Sequence, residues 1–266
     1  MMFARSLPEP APVRAVLLRE LRSAVGNRYL QVFAALALGC GGAAVWLGES
    51  PEAPAFFLLQ VALYFVSLFA LLIGVSGAQA ESEEWPLLFA QPMRRSALVL
   101  GKFGTAWGVF GGVLALLFGP ALGANGSAGA LLLLYVSTLG LAAVFLAIGL
   151  WAGFRLADRV QALVLAVGLW VALLFGVDLV ALIAAHWVPV QRAPDLWVGL
   201  LMLSPADAFR IHALFALGQI PAEAANKTPL AGAWLAHAGL WLGAVAVAWT
   251  GLLLASASRR LERAEC

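Results

Sequence analysis

Charge is what this chain lacks most. Only 11% of its 266 residues are Asp, Glu, Lys or Arg, 63% are hydrophobic, and the mean hydropathy is +0.93. A soluble domain carries about 25% charged residues, so a chain this poor in charge cannot cover its own surface in water. Cysteine is nearly absent. Cys40 falls inside the first apolar run and Cys266 is the last residue, which leaves no CxxC pair and no disulfide framework. His186, His212 and His237 have no metal-ligand spacing, and no metal site is expected. The one Gly-Lys step, Gly101-Lys102, runs into Phe103 with no G-x-x-x-x-G-K-[ST] around it, so no phosphate-cradling loop of that kind is available. HExxH, GxSxG and any long basic tract are missing as well. No catalytic residue is assigned, and a nucleic-acid partner is excluded. A cleavable signal peptide is not expected, because the first 28 residues carry three prolines and five arginines and the first apolar run is too long for a signal core.

What is there is lipid-soluble helix. The apolar runs are continuous rather than alternating, which favours helices over a barrel as the way to satisfy every backbone group in hydrocarbon. Six runs reach the roughly 20 residues that a bilayer core requires: Tyr29–Leu47, Phe56–Ala80, Leu98–Leu122, Ala130–Phe154, Val160–Trp187 and Trp234–Ser256. The expected fold is therefore an all-α integral membrane bundle. It divides into residues 1–28, a six-helix domain over 29–256, and a tail over 257–266. Within the first part, Val13, Val16, Leu17, Leu21, Ala24 and Val25 fall on one helical face while Arg14, Arg19 and Arg22 lie mostly off it. That pattern suits an amphipathic helix lying in the membrane interface. With the N-terminus in the cytoplasm, thirteen of the sixteen Lys and Arg residues fall on the inside, and only Arg192, Arg210 and Lys227 fall outside. The positive-inside rule then places both termini in the cytoplasm.

Three features of the spans invite a functional reading. Gly104, Gly108 and Gly112 recur at four-residue steps, a stripe that lets helices approach closely and is a candidate subunit seam or wall of a transport path. Asp178 is an acid inside an otherwise apolar run. A carboxylate at mid-membrane costs about 2.5–3.5 kcal/mol on insertion scales, so Asp178 either lines a transport path or subunit seam, or lies near the outer leaflet and reaches polar partners there. The outer loop over 188–233 is only partly polar. Leu196–Leu203 is too short to span, and Ser204-Pro205-Ala206-Asp207 then starts a helix over Pro205–Leu217, with Ser at the N-cap and Pro at N1. This pair reads as a re-entrant or interfacial hairpin, and Asp207, Arg210 and His212 are its candidate contacts to an outer partner.

Between the second and third runs lies Glu81–Phe103, a stretch with six of the chain's thirty formal charges. It holds an acidic cluster (Glu81, Glu83, Glu84), an apolar step (Leu87-Leu88), Pro92, an Arg pair (Arg94-Arg95) and Leu98-x-x-Gly101-Lys102-Phe103. This order, with six spans behind a basic amphipathic helix, resembles the ABC-2 type permease family, although Trp85-Pro86 stands where that family usually carries Gly-Thr. The resemblance implies that the loop over 81–97 holds a coupling helix that seats in a separate ATPase. Glu81, Glu83, Glu84, Arg94 and Arg95 would pair with its charges, and Trp85, Leu88 and Phe89 would fill its groove.

Within the family, Arg155–Leu165, Trp170–Val180 and Leu201–Leu214 are most similar to the NosY permeases of nitrous oxide reductase maturation. That likeness implies a homodimer in the bacterial cytoplasmic membrane, a NosF-like cytoplasmic ATPase holding ATP and magnesium, and a NosD-like periplasmic accessory protein. The implied task is to supply a sulfur species, or transmit force, for assembly of the copper–sulfide centre. Generic ABC-2 export of a lipid, drug or glycan fits the same residues.

Overall fold

A peptide group in hydrocarbon finds no water to bond, so each apolar run closes its own hydrogen-bond ladder. The computed structural model describes residues 26–46, 53–80, 95–124, 128–184, 199, 201–219 and 237–263. Six of its helices are long and apolar enough to cross a membrane, and no strand occurs among the described residues. In chain order these are α1 (Arg28–Trp46), α2 (Ala53–Gln79), α3 (Arg95–Ala124), α4 (Ala128–Arg155) and α5, which begins as Arg159–Val171 and continues through Ala172–Gly176 into Val177–Ala184. A shorter helix, α6 (Pro205–Ala216), precedes the last span, α7 (Ala238–Arg263). The expected spans are all present. The last runs past Ser256 to Arg263, because Arg and Leu sustain a helix once it leaves lipid. The amphipathic segment over 13–25 and the loop over 81–94 lie outside the described residues.

The spans alternate in direction, which gives the bundle two unlike ends. Arg28, Lys102, Arg155, Arg159, Arg259 and Arg260 gather at one, the basic end. Turns there are made by short polar side chains. Asp158 caps α5 by accepting from the Val160 amide at 3.0 Å. Gln79, at the end of α2, donates to the carbonyls of Gly153 (2.8 Å) and Leu156 (2.7 Å), which closes carbonyls that the end of α4 leaves open. Asn27 donates to Ser76 Oγ at 2.5 Å and accepts from the Tyr29 amide at 2.9 Å, tying the start of α1 to α2.

The core is built on α2 against α4. Gly74 on α2 faces Gly149 on α4 backbone to backbone, and Ala78 packs against Gly153. A Cβ at Gly74 would lie on the carbonyl oxygen of Leu146. One at Gly149 would lie on that of Leu71, and one at Gly153 would come within 2.6 Å of the Ala78 Cβ. Small residues at four-residue steps permit this approach, and in lipid close packing replaces the hydrophobic drive that water would supply. A second seam joins α1 to α3. Pro120 removes the donor for the Leu116 carbonyl, and Gly41 packs there, where a Cβ would meet Leu116 O at 2.9 Å and Leu117 O at 2.8 Å. Phe33 fills the junction of α1, α2 and α3, stacking on Phe110 at 4.6 Å and tilting against Phe69 at 5.4 Å.

The glycine stripe that the sequence offers as a close-packing seam is not one of these contacts. Gly104, Gly108 and Gly112 lie on the exposed face of α3, and a Cβ at any of them meets open space. Gly149→Val should therefore lower the thermal stability of the detergent-solubilised protein, by about 1–3 kcal/mol as overpacking typically costs. Gly108→Ala should be within about 0.5 kcal/mol of the parent. Differential scanning of both variants checks this, and equal stability would contradict the α2–α4 seam.

Candidate functional site

At the end opposite the basic one, the far end, α6 does not lie on the surface. Trp249 donates its indole N–H to the Leu203 carbonyl at 3.0 Å and Trp241 donates to Met202 at 2.9 Å. From residue 238 to residue 249 a helix rises about 16 Å, half of a hydrocarbon core of about 30 Å. The chain before α6 thus reaches mid-depth along α7. From there α6 climbs back out, and His212 comes to rest against Gly239 near the start of α7. Of the expected hairpin over 196–217, residues 199 and 201–217 are described, and they pack against α7 rather than standing apart from the bundle.

The start of α6 explains how a helix end is tolerated at that depth. Ser204 accepts from the Asp207 amide at 3.4 Å, and Pro205 at N1 has no amide to satisfy. Asp207 stands in the first turn, where the helix dipole favours a carboxylate. It is 2% exposed. Its Oδ1 lies 3.7 Å from Arg210 Nη1, and its Oδ2 is buried with no hydrogen-bond partner among the described residues. One turn further, Arg210 Nη1 donates to Asp178 Oδ2 on α5 at 2.7 Å. Asp178 and Asp207 both act electrostatically on that guanidinium. The acid in the fifth span and the arginine of the outer hairpin are therefore each other's partners, so a charge on one element is neutralised by the next.

Beneath this pair, α2 and α5 share an irregularity. Ala62–Val66 and Ala172–Gly176 are both single π-helical turns, where the ladder widens to i→i+5. Such turns concentrate at functional sites. They face each other: Tyr64 stacks on Phe175 at 6.0 Å and Trp170 meets Phe175 edge-on at 6.2 Å. Trp170 also donates to Ser67 Oγ at 2.9 Å, and that hydroxyl in turn donates to the Leu63 carbonyl inside the widened turn. The bulged turns, the aromatic cluster and the Asp178–Arg210 pair form one contiguous unit joining α2, α5 and α6.

The structure gathers some of the expected site residues and separates others. Asp178, Asp207 and Arg210 come together. Asp207 and His212, expected as contacts to an outer partner, are buried within their own bundle. Gly104, Gly108 and Gly112 are remote from the cluster, on α3. Glu81, Glu83, Glu84, Trp85, Leu88, Phe89 and Arg94 lie outside the described residues, and Arg95 opens α3. Tyr64, Ser67, Trp170 and Phe175 are members that sequence reasoning missed. Removing Asp178 and Arg210 singly and together should give a non-additive cycle, with a coupling of about 0.5–3 kcal/mol. Thermal unfolding of D178A, R210A and the double variant measures it, and strict additivity would break the pairing.

Six helices long and apolar enough to span a bilayer are the architecture of a multi-pass membrane protein. No curated protein matches the chain. The family model described as ABC-2 family transporter protein matches residues 54–265, from the start of α2 to beyond the end of α7. The match covers most of the chain, and the chain belongs to the ABC-2 transporter family, as a membrane-embedded transport subunit.

Proposed function

We propose that this subunit works as a dimer driven by a separate ATPase docked on its basic end, and that this end faces the cytoplasm of a bacterium. The observation that carries the reading is the charge asymmetry of the described bundle. Six cations gather at one end, while Arg210 is the sole described Lys or Arg at the other and is neutralised by Asp178. Cationic flanks are retained on the cytoplasmic side. ATP and magnesium then belong to the partner. The stretch over 81–94 joins α2 to α3 between residues 80 and 95, both at the basic end. Its aromatic residues, Trp85 and Phe89, would anchor in the ATPase while its charges fix register, the usual division of labour at an interface.

In this reading, closure of the ATPase dimer moves the 81–94 stretch. The α2–α4 unit, whose backbones touch, carries that movement as a rigid body to the far end. There the two π turns and the Asp178–Arg210 pair are the elements able to change partners, because an ion pair between two helices breaks as a unit when one helix shifts. The cargo reading is assembly of the copper–sulfide centre of nitrous oxide reductase, by supply of a sulfur species or by force passed to a NosD-like periplasmic protein. What supports it is that Trp170, Asp178 and Arg210, all from the stretches similar to NosY permeases, belong to one cluster on the far side.

Two experiments test the scheme. Trp85→Ala with Phe89→Ala should leave membrane insertion intact and abolish coupling between ATP hydrolysis and the subunit's function; unchanged coupling would refute the docking. Deleting the gene for this chain should leave nitrous oxide reductase without its copper–sulfide centre, and a fully assembled reductase in the deletion strain would remove the maturation role.

A further inference from the structure

The charges of the far end are engaged with one another, but an apolar groove beside them is open. It has a volume of about 410 Å³ and lies between α4 and α7, with His212 of α6 in its wall. It runs from Gly129 to Gly140 along α4 and from Gly239 to Ala246 along α7. Both helices start at the far end, so the groove begins at the far surface and descends about 16 Å, half of a hydrocarbon core of about 30 Å. Glycine makes the room: a Cβ at Gly129 or Gly243 would meet open space. Leu132 and Val136 on the α4 wall are exposed, so the groove opens sideways, toward lipid.

His212 is the polar feature of its outer end. The residue is only 9% exposed, and its Cε1 lies 3.6 Å from where a Cβ at Gly239 would stand. Among the described residues it forms no hydrogen bond and no ion pair. Apart from Ser137, further down, the rest of the described lining is aliphatic or glycine.

Shape decides what fits. A volume of about 410 Å³ over about 16 Å of depth gives a mean cross-section of roughly 25 Å². A helix about 10 Å across needs roughly three times that, so neither a further span nor a second copy of this chain enters the groove. One unbranched hydrocarbon chain does. A methylene is close in size to a water, about 30 Å³, so the groove holds about a dozen methylenes in a row. A chain of that length, confined to one half of the bilayer, is the acyl tail of a leaflet lipid. A buried imidazole without a partner costs free energy. This one stands at the outer end, the level at which a diacyl lipid carries its ester carbonyls, and a neutral imidazole has one N–H to donate to such a carbonyl.

We propose that the groove between α4 and α7 seats one acyl chain of a diacyl phospholipid of the far leaflet, with His212 donating to its ester carbonyl. The site is independent of the cargo and of the docking of the ATPase. Purified full-length chain in neutral detergent is titrated with diacyl phosphatidylcholine, or with the dialkyl ether lipid of the same tails and headgroup, and bound lipid is counted by native mass spectrometry. The ether lipid lacks only the carbonyls.

The parent should favour the diacyl lipid by roughly threefold to tenfold, the scale of one hydrogen bond. His212→Phe keeps a ring and should erase that preference while still binding both lipids. Gly243→Leu fills the groove from a position where a Cβ meets open space, and should weaken both lipids tenfold or more. Gly108→Leu adds the same side chain on the exposed face of α3 and should bind like the parent. Equal affinity of the parent for the two lipids overturns the proposal. So does a G243L variant that binds like the parent, or a G108L variant that loses as much as G243L, which reads out the general lipid shell. A G243L variant that changes oligomeric mass with lipid binding intact gives the groove to a second copy of the chain and overturns it as well.

Discussion

The structure depends on a contact that has no side chain in it. Where Leu71 and Gly74 of α2 meet Leu146 and Gly149 of α4, peptide backbone rests on peptide backbone. Water would not drive such a contact, and lipid offers no hydrophobic gain for it. It holds because close surfaces gain dispersion that lipid chains match less well, and because glycine leaves nothing in the way. The consequence is mechanical. Two spans in backbone contact cannot slide without clashing, and the other spans are arranged around that unit.

Adaptability lies instead between α2 and α5. There the helices are joined by aromatic rings and hydroxyls rather than by backbone, and each helix carries a widened turn at the joint. Above it, a charge on α5 answers a charge on α6. Each charge is stabilised by the other, so the pair depends on the relative position of the two helices. A bundle with one rigid seam and one polar joint has a natural division between the part that carries motion and the part that responds to it.

Much of this was legible in the sequence. Apolar runs of more than 20 residues define spans because the bilayer sets their length, and Ser204-Pro205 marks a helix start because its chemistry is local. What spacing left open was the choice, among patterns of equal quality, of the seam inside the bundle. Gly104, Gly108 and Gly112 form a four-step stripe, and so do Gly149 with Gly153 and Gly74 with Ala78. Only the last two face each other. Spacing shows that a helix has a flat face and not which neighbour meets it. The Asp178–Arg210 pair carried a readable signal, since an acid inside the fifth span and an arginine in the following loop are opposite charges in a setting nearly free of charge. The π turns carried none, because Ala62–Val66 and Ala172–Gly176 are as apolar as the residues around them.

The central claim is that this chain is the membrane half of a machine whose motor is another polypeptide. Affinity isolation of the full-length chain from native membranes in mild detergent, followed by mass spectrometry of what comes with it, tests that most directly. An ATPase recovered in near-equal amount is the predicted result, accompanied by a periplasmic protein if the maturation role holds. Recovery of intact chain with no ATPase, under conditions where an unrelated membrane complex stays assembled, would contradict the account.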